Sequence, residues 1–247
     1  MTDAAVGKLA ARISAAARVT VMTGAGVSAA SGVPTFRGPG GLWRSFQPSE
    51  LATRDAFARD PMLVWEWYSS RRETVAACRP NAAHEVLARW SHRTGVCLIT
   101  QNVDDLHSRA GGRDVVRLHG SLWELKCFDG CAAGSLPWRD ERVPLPRLPP
   151  VCPHCGGHAR PAVVWFGESL GRSELERAVE ATRCDVFIAV GTSAVVQPAA
   201  ALIHQAAAHG AFTAEINPEV TDASAEVDLT LRGPAETILP AIDRAMR

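Results

Sequence analysis

The sequence predicts an α/β fold: a doubly wound parallel sheet of Rossmann-like type, with a smaller zinc-binding and helical module formed by two insertions. Three observations carry that prediction. Short apolar runs alternate with helical patterns along most of the chain, the signature of β-α-β units. Most of those runs are continuous, as expected of strands covered on both faces. Two stretches, 38–80 and 126–160, break the alternation.

Residues 3–17 place Val6, Leu9, Ala10 and Ile13 at helical spacing, and the β-rich run 19–23 then meets a glycine turn at Gly24. Further strand-like runs lie at 96–100, 115–118, 163–166, 186–190, 212–216 and 227–231, with helical patterns at 82–90, 173–182, 199–208 and 235–246. Residues 38–80 contain Trp43, Phe46, Trp65 and Trp67 and read as short helices with loops. Residues 126–160 hold four cysteines and a proline-rich run but almost no periodicity, so they need an organiser other than a core. The expected division is a Rossmann-like domain from 1–37, 81–125 and 161–247, and a small domain from 38–80 and 126–160.

The 247 residues can bury a full core. Lys+Arg 26 against Asp+Glu 26 leaves no net charge, which disfavours a sequence-independent grip on nucleic acid. No apolar run approaches the roughly 20 residues that span a bilayer, and the first 18 residues, charged at Asp3, Lys8, Arg12 and Arg18, lack a secretion signal's apolar core. An odd count of seven cysteines argues for metal binding or free thiols rather than a disulfide framework. The expected compartment is the cytoplasm, and neither nucleic acid nor membrane is an expected partner.

GAGVSA from Gly24 satisfies G-x-G-x-x-G/A directly after a strand, where backbone N–H groups can approach a pyrophosphate. A turn that merely needs glycine is an equal reading. The acidic residue that a dehydrogenase places about 20 positions on is missing; 42–46 hold no carboxylate, and the chain runs instead into a glycine-rich loop carrying Phe36 and Arg37. TQNVDDLH from Thr100 puts Asn102 and Asp104 at a strand's carboxyl end, where they can reach a ribose or a carboxamide. His119 ends another run at the same edge as a candidate general base, with a satisfied structural histidine as the alternative. Cys127 and Cys131 form C-x3-C, and Cys152 and Cys155 form C-x2-C after twenty residues. Four thiolates close a tetrahedral Zn²⁺ and leave no open position, so the metal is expected to be structural. His154 or His158 could replace one thiolate.

Together GAGVSAASGVPTFR, TQNVDDLH, LHG, the cysteine pairs, RPAVVWFGE from Arg160 and VGTSAVVQPAA from Val190 closely resemble the sirtuins, the NAD-dependent protein lysine deacylases. The resemblance implies NAD as co-substrate. Gly24, Ala25, Gly26, Ser28, Phe36 and Arg37 would hold the dinucleotide and close over it. Gln101, Asn102 and Asp104 would take the nicotinamide ribose and carboxamide. Gly191, Thr192 and Ser193, with Asn217, Pro218, Glu219 and Ala235, would serve the pyrophosphate and adenosine side. His119 would be the catalytic base, and 164–167, with Val164, Phe166 and Gly167, would pair with an acyl-lysine peptide as an added strand. In the implied chemistry the acyl oxygen attacks C1′ of the nicotinamide ribose, nicotinamide leaves, and O-acyl-ADP-ribose and free lysine depart, with Phe36 as a lid against water.

Tyr68, the only tyrosine, and Arg71 stand at i and i+3 of a helical pattern and so share a face. A guanidinium and a phenol can together bind a carboxylate that must be buried; an exposed arginine pair, Arg71 and Arg72, is the alternative. The pattern, with small Ala52 upstream, resembles the desuccinylase type. It implies removal of succinyl and malonyl groups, with glutaryl as an extension of the same class, and more weakly acetyl. Mainly acetyl removal, ADP-ribosyl transfer, a Rossmann oxidoreductase and a non-catalytic zinc-ribbon module are the competing readings.

Overall fold

A helix, α1 (Asp3–Ala15), and a strand, β1 (Val19–Thr23), open the chain as their periodicities require: Val6, Leu9, Ala10 and Ile13 are the buried stripe of the helix, and all five strand residues are buried. The computed structural model describes residues 3–35 and 47–247; Phe36, Arg37, Trp43 and Phe46 lie outside them. A 3₁₀ turn follows at Ala25–Ser31. Three helices come next, α2 (Pro48–Leu51), α3 (Arg54–Arg59) and α4 (Pro61–Ala77). α4 starts where Asp60 accepts the Leu63 N–H at 2.9 Å and Pro61 occupies the first turn, a pairing that suits orphan donors and a residue with none.

The chain then alternates through α5 (Ala82–Ser91), β2 (Val96–Thr100), α6 (Leu106–Arg109) and β3 (Val116–Arg117). After β4 (Gly120–Cys127), β5 (Trp138–Arg139) and β6 (Ala159–Val163), it resumes with α7 (Arg172–Glu180), β7 (Val186–Val190), α8 (Ala201–Ala208), β8 (Phe212–Asn217), β9 (Leu229–Arg232) and α9 (Ala235–Ala245). Six strands form a parallel sheet in the order β3-β2-β1-β7-β8-β9. This is the doubly wound order that reverses between β1 and β7. Both faces are covered, which is why the strands read as continuous apolar runs. Val186, Ile188 and Val190 pack with α1, α5 and α9 on one face, while Phe187 and Ala189 pack with α7 and α8 on the other.

A separate antiparallel sheet, β5-β4-β6, packs its buried face against α3 and α4. Here the structure departs from two readings. The run 163–166 is not a seventh parallel strand: its ladder ends at Val163, in β6, and β6 is antiparallel to β4. No apolar run announced β4, because SLWELKC mixes buried and half-buried positions with two charges. β4 and β6 also extend past positions 125 and 160, so the small sheet draws residues from both sides of those positions. Among the described residues no helix is long and apolar enough to cross a membrane.

Candidate active site

A cleft of about 690 Å³ opens at the carboxyl ends of β1, β2 and β7, between the parallel sheet and the small module. Gly24, Ala25 and Gly26 line it beside Gly191, Thr192 and Ser193. The glycines are required by close approach: Gly26 N–H donates to the Gly191 carbonyl at 2.8 Å, and a Cβ on Gly26 would stand 2.8 Å from the Gly191 Cα. Two loops from strands on either side of the reversal thus touch backbone to backbone. Asn217 braces the second loop by donating its Nδ2 to the Thr192 carbonyl at 2.8 Å, and Gln101 Nε2 donates to Thr192 Oγ1 at 2.9 Å. Pro218, Glu219 and Ala235 close the far end.

Ser28 and Asp104 do not line the cleft but lie beneath it, both buried. Ser28 Oγ donates to Asp104 Oδ2 at 2.8 Å and accepts from Asn102 Nδ2 at 3.1 Å. His84, which sequence reasoning missed, completes this hub. Its Nδ1 accepts the Asn81 N–H at 3.3 Å, so its proton sits on Nε2 and points to Ser28 Oγ at 3.2 Å. The serine oxygen is then saturated, which holds the Asn102 amide with its nitrogen turned inward. The Asn102 backbone is held too: its N–H meets Thr100 Oγ1 at 3.0 Å, which accepts from Thr23 Oγ1 at 2.9 Å, which in turn accepts from His107 Nε2 at 2.9 Å. Burial depresses both imidazoles, His84 to about 4 and His107 to about 3, and raises the Asp104 carboxyl. No local pattern could reveal His84, because it sits inside an amphipathic helix and meets a serine 56 positions away.

His119 faces the cleft at the junction of β3 and β4. Its Nδ1 donates to the Gln101 carbonyl at 2.8 Å, because a carbonyl can only accept. Nε2 is therefore the proton-accepting atom. Burial lowers the pKa of the ring, with the bond to Gln101 opposing it, so the neutral imidazole is favoured and Nε2 is open to a proton. Gly120 follows because β4 and β6 come together there: its φ is +77° and a Cβ would stand 2.0 Å from the Ala162 carbonyl.

The opposite wall comes from the small module. Ala52, Tyr68 and Arg71 line the same cleft as His119. Ala52 and Tyr68 are buried and Arg71 is half-buried, its guanidinium 4.7 Å above the Trp67 ring. Burial lowers the pKa of Arg71, with Tyr68 and Asp104 pulling it back up. The two neighbouring arginines are not an exposed pair. Arg72 is buried and donates to the carbonyls of Leu122 at 2.7 Å and Asp140 at 2.6 Å, clamping α4 to β4. Val164, Phe166 and Gly167 border this wall. The Val164 N–H donates to the His119 carbonyl at 3.0 Å and the Phe166 N–H to the Ala52 carbonyl at 2.9 Å, so those two amides already tie the segment to its neighbours.

Away from the cleft, Cys127, Cys131, Cys152 and Cys155 bring their Sγ atoms within 4.8 Å of one another. The Cys127–Cys155 and Cys131–Cys152 separations are both 3.7 Å, against the ~3.8 Å edge of a tetrahedron whose metal–sulfur bonds are about 2.3 Å. The set fits a structural Zn²⁺. Neither His154 nor His158 joins it.

The family model described as the Sir2 family matches residues 24–198. An NAD-dependent protein deacylase of Aeropyrum pernix is 50% identical over 96% of both chains. A mutant Sir2 homologue in complex with ADP-ribose superposes with a TM-score of 0.92 at 45% identity, covering 97% of this chain and 96% of that one. A Sir2 homolog–NAD complex reaches 0.88 at 44% identity, with coverages of 97% and 94%. Strand order, strand-edge cleft, cysteine set and sequence agree along nearly the whole length, and the chain belongs to the Sir2 family.

Proposed function

We propose that this chain is an NAD-dependent protein lysine deacylase that prefers acidic acyl groups, succinyl and malonyl and also glutaryl, over acetyl, releasing nicotinamide and O-acyl-ADP-ribose. The deacylase reading rests on the family and on relatives of that activity at about half identity. One observation carries the acyl preference: Tyr68 and Arg71, a phenol and a half-buried guanidinium, stand beside small Ala52 in the cleft that holds His119. A methyl group needs no such partners, whereas a buried carboxylate does.

In this reading the paired glycine loops and the Asn217 end hold the dinucleotide, and Asn102, locked by Ser28 and Thr100, orients its nicotinamide half. His119 takes a ribose hydroxyl proton at Nε2 while Gln101 holds its other nitrogen. The acyl-lysine peptide lies along 164–167 with its acyl tip against Tyr68 and Arg71. Phe36, which lies outside the described residues, is assigned as the lid. Steady-state kcat/KM on acetyl, succinyl, malonyl and glutaryl versions of one peptide tests the proposal. A succinyl preference that Arg71→Met suppresses, at far smaller cost to deacetylation, supports it; equal loss on both substrates refutes the acyl assignment.

A further inference from the structure

Tyr68 can serve a carboxylate only if its hydroxyl gives its proton to the cleft. A phenol oxygen both donates and accepts, so something must occupy its accepting side. That group is the Trp165 indole, whose Nε1–H donates to Tyr68 Oη at 2.9 Å. Among the described residues this is the hydroxyl's one hydrogen bond within the protein, and it uses a lone pair rather than the proton. The indole nitrogen has no acceptor function, so the direction of the bond admits no inversion.

Trp165 is itself immobilised. It is 2% exposed; the Arg160 guanidinium lies 3.3 Å above its ring, and the Phe57 ring stands 5.4 Å away. Its backbone N–H donates to Glu168 Oε2 at 2.9 Å, and Glu168 is ion-paired with Arg160. A carboxylate, a guanidinium and a phenyl ring therefore hold the plane that aims one N–H bond at Tyr68.

We infer that Trp165 is a positioning residue for acyl selection: its indole N–H fixes the Tyr68 hydroxyl as a donor toward an acidic acyl tip. The inference rests on the proposed acidic-acyl preference. With the indole donor removed, the hydroxyl is free to turn its proton elsewhere, and the carboxylate loses part of its recognition. An acetyl group, which makes no bond there, loses only what packing contributes.

The test compares kcat/KM for succinyl- and acetyl-lysine peptides in wild type, Arg71→Met, Trp165→Phe, Tyr68→Phe and the double variant Tyr68→Phe/Trp165→Phe. As a shape-preserving control, the benzothiophene analogue of tryptophan at position 165 removes only the N–H, and it serves if the phenylalanine variant folds poorly. The expected result is a fall of about five- to tenfold in the succinyl-to-acetyl ratio for each Trp165 replacement, the scale of one ordinary hydrogen bond, because the phenol stays in place and only its orientation is lost. No further fall is expected when Trp165→Phe is added to Tyr68→Phe. A structural role would lower both substrates together and leave the ratio unchanged, and that result overturns the inference. Additive losses in the double variant overturn it as well. A wild type with no succinyl preference removes the underlying reading and this inference with it, whereas a preference sensitive to Arg71→Met but not to Trp165 changes removes this inference alone.

Discussion

The two walls of the cleft are built on opposite principles. Beneath the strand-edge wall buried polar groups brace one another: Ser28 serves Asp104, Asn102 and His84, while Thr100 serves Thr23 and the Asn102 backbone. On the helical wall Trp165 supplies the Tyr68 oxygen but not its proton, and Arg71 lies over a ring beside the cleft. A wall braced from beneath is pre-organised for one ligand, which suits the dinucleotide we assign to it. A wall that keeps the Tyr68 proton for the ligand selects among ligands, which suits a variable acyl group.

The largest expected effect tests whether one base serves every substrate. His119→Ala should lower kcat/KM by about 10²- to 10⁴-fold, equally on acetyl and succinyl peptides; a loss confined to one would break the division between walls. Next comes the four-cysteine site of the small module. Stripping Zn²⁺ with a strong chelator, or Cys152→Ser, should lower the thermal midpoint by roughly 10–20 °C, and metal analysis of the untreated protein should give one Zn²⁺ per chain. Arg71→Met should then cut the succinyl-to-acetyl ratio by about 10- to 100-fold, as removal of a charge-assisted pair implies, without raising KM for NAD. Ser28→Ala sharpens the other wall: three partners lose one atom, at about 1–3 kcal/mol, so KM for NAD should rise while the acyl ratio holds.

The last test is the pH dependence of stability. His84 and His107 bind protons in the unfolded chain near pH 6.5 but in the folded chain only near 4 and 3. Their folded values are depressed, so stability is full above pH 6.5 and falls as pH drops toward about 4, by up to about 1.4 kcal/mol per unit for each. Asp104, raised by burial, opposes this at the acid end. Denaturant midpoints measured from pH 7 to 4 should decline; a flat profile would mean the buried hub is not closed. The acid limb of kcat/KM should lie below the ordinary histidine range, because His119 is depressed too.

The parallel sheet was legible because both its faces are buried, so β1, β2, β7 and β8 advertise themselves as apolar runs. The cysteine pairs were legible because tetrahedral coordination imposes spacing. β4 was not, since one strand that borders a cleft, a metal site and a core carries a mixed pattern. His84 and Trp165 were invisible as site residues for a different reason: their roles are defined by single partners 56 and 97 positions away.

By itself the sequence determined the strand-and-helix alternation, the glycine turn, the strand-end polar cluster and the four thiols, all of which follow from local sterics, periodicity or ligand spacing. Only the tertiary structure decided which of two adjacent arginines faces the cleft, which atom of His119 accepts a proton, and what aims Tyr68. Those choices depend on hydrogen-bond direction and burial, which exist only once distant segments have met.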